Sequence, residues 1–359
     1  MSLGLDDVIA AETALSHVDG QAGRLIVRGY DLEEIAGRRS YEGLLALLWD
    51  GFAVEPAGEK AIAATLGAAR ARAFAIGKPL FAAATGLVPV EGLRLLLSAL
   101  PDTEPTPHHV LAVAAVPVFA AAVARQAQGL APLPPDPALG QAADFLRMLR
   151  GKAATEAHAR ALDTYLVTVA DHGLNASTFT ARVVASTRAG MFSAVVAALC
   201  ALKGPLHGGA PGPVLDMLDA IGTEANIDAW LSHAIDDGDR LMGFGHRVYR
   251  VRDPRADVLK QVAVTLRGGS NRIRFAEAVE QGALRLLARK KQSRRLDTNV
   301  EFYTALVLEA LELPRDSFTN VFALGRVGGW TAHVLEQTAS GRLIRPQSRY
   351  VGPVPARAA

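Results

Sequence analysis

Residues 242–255 read Met242-Gly-Phe-Gly-His-Arg-Val-Tyr-Arg-Val-Arg-Asp-Pro-Arg255 and combine one histidine, His246, with glycines that free the backbone to approach a ligand. Guanidinium groups bind anionic oxygens well, so the arginines of this stretch predict a site for a substrate with phosphate or carboxylate groups. They are Arg247, Arg250, Arg252 and Arg255. The alternative is a surface loop with a solvated basic face. A dinucleotide-binding turn is a poor fit, because its third glycine is missing and no clear strand precedes the stretch.

The composition bounds the class of protein around this stretch. The chain has 359 residues, of which 50% are hydrophobic, 21% charged and 6% aromatic. That length suffices for a substantial core and predicts two domains, and an Ala- and Leu-rich chain of this kind is typical of a soluble helical protein. The net charge of +2 and the pI near 8.7 are too mild for a general nucleic-acid binder, so any basic patch must be local.

Three further features predict a cytoplasmic protein. The single cysteine, Cys200, lies in the apolar run Met191–Leu202, which predicts a buried, inert thiol, and one cysteine allows no intrachain disulfide. The N-terminus has neither the basic start nor the apolar core of a signal peptide. The longest apolar run, Val110–Ala124, is shorter than the roughly 20 residues of a membrane span and contains Pro117, so it predicts a buried helix and no membrane segment.

Turn and periodicity signals predict an all-α fold, with many helices joined by short loops rich in glycine and proline. Near the N-terminus, an alternating segment with a turn at Gly29 predicts one small hairpin. Helical spacing then dominates, over the ranges Glu33–Trp49, Glu59–Phe74, Val90–Leu100 and Gln141–Leu202. In the C-terminal half, apolar residues at i, i+3, i+4, i+7 and i+8 form a helical stripe that Pro314 ends. Its members are Tyr303, Leu306, Val307, Ala310 and Leu311.

Two histidines lie in contexts that core packing does not call for. His172 precedes Asn175 and Ser177, either of which could cap a helix, and the alternative to a functional role is ordinary capping beside a satisfied histidine. His207 lies in a glycine turn ahead of the Pro213 helix. An imidazole near a helix N-terminus is pushed toward its neutral form, which can donate a hydrogen bond to a carbonyl oxygen. A turn histidine with no role is the alternative.

A carboxylate and two arginines complete the set of candidates. Asn299 is predicted to cap a helix whose first turn contains Glu301, where the helix dipole favours a carboxylate, although such a glutamate is commonly structural. Arg326 and Arg345 lie near the C-terminus, and their planar forks suit the carboxylates of a dicarboxylic acid. With no nucleophilic serine motif and no plausible metal cluster, these groups fit proton abstraction next to a carbonyl and attack on a second carbonyl. The sequence therefore predicts carbon–carbon bond formation.

Several motifs follow one another along nearly the whole chain. They are Leu25-Ile-Val-Arg-Gly-Tyr-Asp, His172-Gly-Leu-Asn-Ala-Ser-Thr, Gly204-Pro-Leu-His-Gly-Gly, Gly243-Phe-Gly-His-Arg-Val-Tyr, Asn299-Val-Glu-Phe-Tyr and Arg345-Pro-Gln-Ser-Arg-Tyr-Val-Gly. In this order they resemble the citrate synthase family, specifically its compact bacterial and archaeal type, which includes 2-methylcitrate synthases. The resemblance implies an almost all-helical homodimer, with a large domain of residues 1–208 and 314–359 and a smaller mobile domain of residues 209–313 that closes over the substrates.

The resemblance also implies an activity. Acetyl-CoA would condense with oxaloacetate, and hydrolysis of the citryl thioester would release citrate and free coenzyme A. His207 would hold the thioester carbonyl while Glu301 removes a proton from the neighbouring methyl group. His246 would polarise the ketone of oxaloacetate and protonate the alkoxide that forms.

Binding roles follow from the same motifs. The implied oxaloacetate ligands are His172, His246, Arg255, Arg326 and, reaching in from the second subunit, Arg345. The implied contacts of coenzyme A, which enters as part of a substrate, are Leu241, Met242, Gly243, Phe244, Gly245 and Arg250. No metal and no redox cofactor is implied. The basic run Arg285–Arg295 is predicted either to attract the coenzyme A phosphates or to form a solvated helix face.

One departure from the family's pattern keeps two alternatives open. The family usually has aspartate where Glu301 stands, and one extra methylene moves a base by roughly 1.5 Å, enough to lower the rate tenfold or more. The first alternative is a 2-methylcitrate synthase that uses propionyl-CoA, since one methylene in an apolar pocket changes the binding free energy by only about 1–3 kcal/mol. The second is a catalytically weak homologue that serves as a binding or regulatory module.

Overall fold

Fifteen α-helices and one small sheet make up the part of the chain that the computed structural model describes, which is residues 5, 8–207, 211–246, 248–266, 271–290 and 296–353. The first eight helices are α1 (Leu32–Ile35), α2 (Tyr41–Trp49), α3 (Glu59–Gly77), α4 (Pro89–Leu97), α5 (His108–Ala127), α6 (Gln141–Arg150), α7 (Glu156–Val169) and α8 (Ala176–Ser186). The others are α9 (Met191–Leu202), α10 (Pro211–Ile221), α11 (Ile227–Asp236), α12 (Pro254–Thr265), α13 (Asn271–Lys290), α14 (Val300–Ala310) and α15 (Phe318–Ser340). The predicted all-α class is confirmed.

The N-terminal sheet contains strands β1 (Ser16–Asp19), β2 (Arg24–Val27) and β3 (Tyr30–Asp31), each antiparallel to the next. The predicted hairpin is the turn between β2 and β3, where Arg28 and Gly29 have φ of 50° and 88°. Two left-handed residues give a tight hairpin turn the twist that its strands need. The sequence missed β1, which pairs with β2 over its full length and makes a second hairpin.

The predicted helix Glu33–Trp49 is two helices in the structure. Gly37 lies between them with φ of 73°, a conformation that a residue with a side chain resists. The Oγ of Ser40 then accepts a hydrogen bond from the amide of Gly43 and begins α2. The predicted start of α3 is the observed one, the other predicted ends of α3 and α4 differ from the observed ends by one to three residues, and the predicted apolar stripe lies on α14.

Helix α5 is the centre of the core. It packs against α3, α4, α6 and α15, and its predicted buried run, Val110–Ala124, is almost wholly inaccessible to solvent. Among the described residues, α5 is the one helix with the length and hydropathy of a membrane span, but 89% of its most apolar window is buried inside the protein. A helix that is apolar all round is what the centre of a large helical core requires, so the prediction of a buried helix is confirmed.

Helix α15 crosses the core and lies unusually close to its neighbours because of two glycines. A Cβ on Gly329 would lie 2.2 Å from the carbonyl oxygen of Ala170, and one on Gly328 would lie 2.8 Å from the hydroxyl of Tyr41. Only glycine allows these approaches, which seat α15 against α2 and the end of α7. This packing places Arg326, also on α15, beside Val169 at the end of α7.

The prediction that Cys200 is buried is wrong. Cys200 has a free thiol on the outward side of α9, together with Ser193 and Val196, at positions spaced as one face of a helix. The apolar run continues around the whole helix, so the sequence alone did not indicate which side meets the core. The opposite side, which includes Ala194 and Leu199, is the one that packs inward.

Helices α10 to α14 pack on one another, and α12 and α14 also contact α7. The loop after α7 carries His172, α12 begins with Arg255 in its first turn, and α14 carries Glu301. These contacts therefore bring the predicted functional residues toward one place. The division into domains of residues 1–208 with 314–359 and of residues 209–313 stays a prediction.

Candidate active site

A short backbone pairing joins residues 241–246, the glycine loop, to the start of α14. Phe244 and Thr298 form an isolated antiparallel bridge. The amide of Asn299 donates to the carbonyl of Gly243 over 2.9 Å, and its side-chain nitrogen donates to the carbonyl of Gly245 over 2.8 Å. These bonds hold the loop that ends in a histidine against the helix start that carries the predicted base.

The two glycines of this loop serve close packing. Gly243 and Gly245 have φ of 86° and 80°. A Cβ on Gly243 would lie 2.8 Å from the ring of Phe302, and a Cβ on Gly245 would lie 2.9 Å from the side chain of Leu296. The sequence predicted that they free the backbone for a ligand, whereas the structure shows that they let the loop approach its own neighbours.

The tautomer of His246 follows from two backbone hydrogen bonds. Its Nδ1 accepts from the amides of Val248 and Tyr249, over 3.0 and 3.1 Å. Because Nδ1 is then the unprotonated nitrogen of a neutral imidazole, the ring proton lies on Nε2. Nε2 is 3.3 Å from Nη2 of Arg255, so two N–H donors lie side by side and suit one electron-rich oxygen.

A buried ion pair holds Arg255 in this position. Its Nε and Nη2 donate to the two carboxylate oxygens of Asp253 over 3.0 and 2.8 Å, and the two side chains are 4% and 1% exposed. Asp253 also accepts from the amide of Val300 over 3.2 Å, which ties α12 to α14. Burial opposes the charge of Arg255, but the carboxylate of Asp253 outweighs it and raises the pKa of Arg255, which remains a cation.

The loop between α7 and α8 presents His172 to the same cluster. Asn175, one of the two caps predicted, caps α8 with its side chain, and His172 lies three residues before it. The Nε2 of His172 is hydrogen-bonded to the hydroxyl of Tyr249 over 3.1 Å, and its ring centre is 5.6 Å from that of His246. Burial, followed by the charge of Arg255, lowers the pKa of His172 well below its usual value, so the ring is neutral.

Arg326 supplies a second buried guanidinium, which is 1% exposed. Its Nε donates to the carbonyl of Val169 over 2.6 Å, its guanidinium lies 4.8 Å above the ring centre of Phe322, and its two Nη groups have no hydrogen-bond partner among the described residues. The carboxylate of Asp171, itself 3.2 Å from the buried ring of His333, attracts this cation. Burial lowers the pKa of Arg326 to about 10, which still leaves it charged at neutral pH.

His207 lies in a turn that the hydrogen bond from its own amide to the carbonyl of Gly204 closes over 2.9 Å. Its Nε2 accepts from the amide of Ser177 over 3.3 Å and lies 2.8 Å from the Ser177 hydroxyl. That hydroxyl also accepts from Nε1 of Trp330 over 3.1 Å. Burial, followed by the charge of Arg326, lowers the pKa of His207 to about 4, so the ring is neutral with its proton on Nδ1.

Glu301 lies in the first turn of α14, and its amide donates to the side chain of Asn299, the predicted cap, over 3.0 Å. Its Oε2 is buried and has no hydrogen-bond partner within the part of the chain that the structure describes. Burial raises the pKa of Glu301 to about 7, although Arg240 and Arg255 pull it downward. A carboxyl group poised near neutral pH is suited to act as a general base.

Some predicted residues are not brought to this cluster within one chain. Arg345 is exposed on the extended segment after α15. Arg250 is also exposed, and its amide is anchored to the carbonyl of Gly20 over 2.7 Å. Leu241 and Phe244 are 5% and 4% exposed, so their side chains belong to the core and only their backbone can meet a ligand.

Other predicted residues lie outside the described ones. They include Arg247, the glycines 208–209 after His207, and residues 291–295 of the basic run. In the described part of that run, Lys290 forms an ion pair with Asp236 of α11 at 2.7 Å. That pair favours the interpretation of a solvated helix face for the end of α13.

Sequence reasoning missed three residues that position the cluster, namely Tyr249, Asp253 and Ser177. The first two lie inside the stretch 242–255, and an Asp-Pro pair directly before a helix is a capping signal that could have identified Asp253. The contact of Ser177 with His207 joins residues 30 positions apart and has no local signal.

Two buried guanidinium groups, three imidazoles and one buried carboxyl group thus come together in an all-α protein, and groups of these types can bind a small carboxylate and exchange protons with it. The family model described as "Citrate synthase, C-terminal domain" matches residues 4–347. The chain therefore belongs to the citrate synthase family, as its motifs predicted.

Individual relatives agree with this assignment. The citrate synthase of Haloferax volcanii is 39% identical, over 97% of this chain and 95% of that protein. The crystal structure of citrate synthase from Thermotoga maritima has a TM-score of 0.85 and 32% identity, and covers 99% of this chain and 97% of its own. A ternary complex of the Thermoplasma acidophilum citrate synthase with carboxymethyl coenzyme A and oxaloacetate has a TM-score of 0.87 and 29% identity, over 99% and 97% of the two chains.

Proposed function

We propose that the protein is a citrate synthase, which condenses acetyl-CoA with oxaloacetate and hydrolyses the citryl thioester to citrate and coenzyme A. The observation that carries this proposal is the buried carboxyl group of Glu301, which has a pKa of about 7 and feels the charge of Arg255. Nη2 of Arg255 and Nε2 of His246, 3.3 Å apart, together form a pair of N–H donors. A base of this kind can take a proton from carbon, while paired donors stabilise the charge that develops on oxygen.

In the first step Glu301 removes a proton from the acetyl methyl group, and the electron pair moves to the thioester oxygen. His207 donates its Nδ1 proton in a hydrogen bond to that oxygen. A neutral imidazole suits this task, because its pKa of about 4 keeps it a donor without excess charge at neutral pH.

In the second step the new carbon nucleophile attacks the ketone carbon of oxaloacetate. The ketone oxygen becomes an alkoxide, which His246 holds and protonates from Nε2. Glu301 releases the proton that it took from the methyl group, and one proton returns to His246, so both groups regain their starting states. Water then adds to the citryl thioester, the carbon–sulfur bond breaks, and citrate and the thiol of coenzyme A leave.

The carboxylates of oxaloacetate bind to the buried cations. Arg326 offers its two Nη groups as a planar fork, Arg255 adds a second cation, and His172 adds a neutral ring beside them. Coenzyme A meets the backbone of the glycine loop, and its phosphates meet the exposed Arg250. The reaction takes place in the cytoplasm and requires no metal.

The active unit is a homodimer in which Arg345 completes the site of the second subunit. In support of this, the segment after α15 is extended and exposes Leu343, Tyr350 and Val351, which is unusual for apolar side chains of a folded monomer. The outward face of α9, with Val196 and Cys200, is a further candidate surface for the second copy.

Subunit complementation tests the shared site. We expect an Arg345→Ala protein and a Glu301→Gln protein each to be nearly inactive. In a mixed dimer, one of the two sites then combines an intact Glu301 with an intact Arg345, so the purified mixed dimer should have about half of the wild-type activity. The co-expressed mixture, in which random pairing makes about half of the dimers mixed, should have about a quarter. No recovery in a verified mixed dimer, or a monomer by light scattering, would refute the shared site.

Release of free thiol from purified protein with oxaloacetate and either acetyl-CoA or propionyl-CoA tests the function itself, with Glu301→Gln as the control. Fast turnover of acetyl-CoA that the variant loses is the expected result. A preference for propionyl-CoA would change the assignment to 2-methylcitrate synthase. Binding of oxaloacetate without turnover of either thioester would indicate the catalytically weak homologue.

A further inference from the structure

Glu280 is a buried carboxylate, 3% exposed, near the middle of α13. Four side chains from four parts of the chain donate hydrogen bonds to its two oxygens. Oε1 accepts from Arg252 over 2.9 Å and Thr298 over 2.6 Å, and Oε2 accepts from Lys260 over 3.0 Å and Tyr303 over 2.6 Å.

Three of the four donors lie close to the catalytic groups along the chain without being among them. Arg252 lies between His246 and Arg255 along the chain, and Thr298 pairs with the glycine loop through its backbone. Tyr303 follows Glu301 by two residues on α14. A single carboxylate therefore fixes the loop before α12 and the start of α14 relative to each other.

Each of the two carboxylate oxygens of Glu280 accepts two of these hydrogen bonds. Burial alone would raise the pKa of Glu280, but the hydrogen bonds from Thr298, Tyr303 and the two cations lower it to about 2. The carboxylate thus stays ionised at any pH at which the enzyme works, and cannot itself exchange protons with a substrate.

We propose that Glu280 is a positioning residue, which sets the distance between the base Glu301 and the His246 loop. This inference rests on the proposed function, because it assigns Glu280 a role in the same reaction. An error of about 1 Å in the position of a reacting group can lower a rate about 100-fold. Glu280 and its four donors, which form a hub between these segments, therefore have a kinetic role in addition to holding the fold together.

The test compares Glu280→Gln with Asp144→Asn. Asp144 is an equally buried carboxylate, which accepts from Arg70, Arg147 and the amide of Asp136, but it lies on α6 among residues that take no part in the site. We expect Glu280→Gln to lower kcat about 10- to 100-fold, while the dissociation constant of oxaloacetate changes less than about threefold. Asp144→Asn should lose a similar amount of thermal stability and keep kcat within about twofold.

A double variant distinguishes an effect of Glu280 on the position of Glu301 from a general destabilisation of the protein. If Glu280 acts through Glu301, then Glu280→Gln should cost much less kcat in a Glu301→Asp background, where the base is already displaced. Additive losses would overturn the proposal, as would equal losses of kcat in Glu280→Gln and Asp144→Asn at equal loss of stability.

Two milder variants apply if Glu280→Gln does not fold. Tyr303→Phe and Thr298→Val each remove one hydrogen bond to the hub, and we expect each to lower kcat about three- to tenfold with little change in oxaloacetate affinity. Wild-type kcat in both would overturn the proposal. A wild-type protein that turns over neither thioester refutes the proposed function and is recognised before any variant is made.

Discussion

The two halves of the site are built in opposite ways. On the proposed oxaloacetate side, the polar groups are hydrogen-bonded to one another: Arg255 is paired with Asp253, His172 is hydrogen-bonded to Tyr249, and His246 accepts from two backbone amides. On the proposed thioester side, Oε2 of Glu301 is buried with no hydrogen-bond partner among the described residues. Apart from the two Nη groups of Arg326, the first half is satisfied before any substrate arrives, whereas the second retains an unsatisfied carboxyl oxygen.

This difference indicates which residues determine substrate affinity and which determine the rate of the chemical step. Pre-formed hydrogen bonds and ion pairs lower the cost of ordering a substrate, so the oxaloacetate side is expected to determine affinity. A buried carboxyl group without a partner destabilises the folded protein, and such a cost is tolerated where a reaction needs a strong base. Variants of the two sides should therefore differ in kind as well as in size.

The largest effect is expected from Arg255→Ala. Removal of the guanidinium leaves the carboxylate of Asp253 buried and unpaired, which should lower the free energy of unfolding by about 3–5 kcal/mol. Urea denaturation measures this loss, and calorimetry should show that oxaloacetate binding is lost as well. The double variant Arg255→Ala/Asp253→Ala should recover part of the stability and none of the binding. A single variant as stable as the wild type would show that the two halves do not differ in this way.

His207→Ala should separate catalysis from binding. We expect kcat to fall about 100- to 1,000-fold, because the donor to the thioester oxygen is lost. Oxaloacetate affinity and the melting temperature should hardly change, since Ser177 keeps its hydrogen bonds to Asn175 and Trp330. His158→Ala, which alters a histidine bonded to Arg150 away from the site, is the matched control. A large rise in the dissociation constant of oxaloacetate would contradict the division of the site.

The pH dependence of stability tests the unsatisfied carboxyl group of Glu301. Its pKa is raised from 4.5 to about 7, so the folded protein holds a proton that the unfolded chain releases between these values. Stability should therefore fall as the pH rises through this window, by on the order of 2–3 kcal/mol. Glu301→Gln has no proton to lose, so it should be more stable than the wild type at pH 8 and equally stable at pH 4.

The same carboxyl group sets the pH profile of turnover. Below pH about 7 the base is protonated, and kcat should fall about tenfold for each further unit of pH, whereas His207 stays neutral down to about pH 4. A profile that is flat between pH 5 and 8, together with equal stability of wild type and Glu301→Gln at pH 8, would show that Glu301 is not held as a buried base.

Particular residues show which features of the structure could be predicted from the sequence. Capping is a local signal, so Asn299 was correctly predicted as a helix cap, and the cap of the helix after His172 was narrowed to Asn175 or Ser177, of which the structure has Asn175. The all-α class followed from periodicity in the same way. Chemical type and motif order selected histidines and arginines of which the structure brings some together, whereas Arg250 and Arg345 lie exposed, and their roles stay predictions.

Long-range packing was beyond the sequence. The hub at Glu280 collects donors from Arg252 to Tyr303, and nothing in the local pattern around α13 distinguishes this glutamate from an exposed one. The exposure of Cys200 depends on which side of α9 the other helices cover, and a run that is apolar all round does not specify it. Tautomers were also beyond prediction, since His246 is fixed by amides whose directions only the folded loop defines.

The smallest effect is expected from Tyr249→Phe, which removes one hydroxyl from the satisfied side. The ring remains to pack between His172 and His246, so the loss is one hydrogen bond to His172, about 1 kcal/mol, and oxaloacetate affinity should fall about fivefold with kcat nearly unchanged. Burial raises the pKa of Tyr249, so the hydroxyl stays protonated and the effect should not vary between pH 6 and 9. Tyr30→Phe, at an exposed position on β3, is the control. A fall in kcat with unchanged affinity would show that Tyr249 contributes to the chemical step, and would contradict the division of the site into a binding half and a catalytic half.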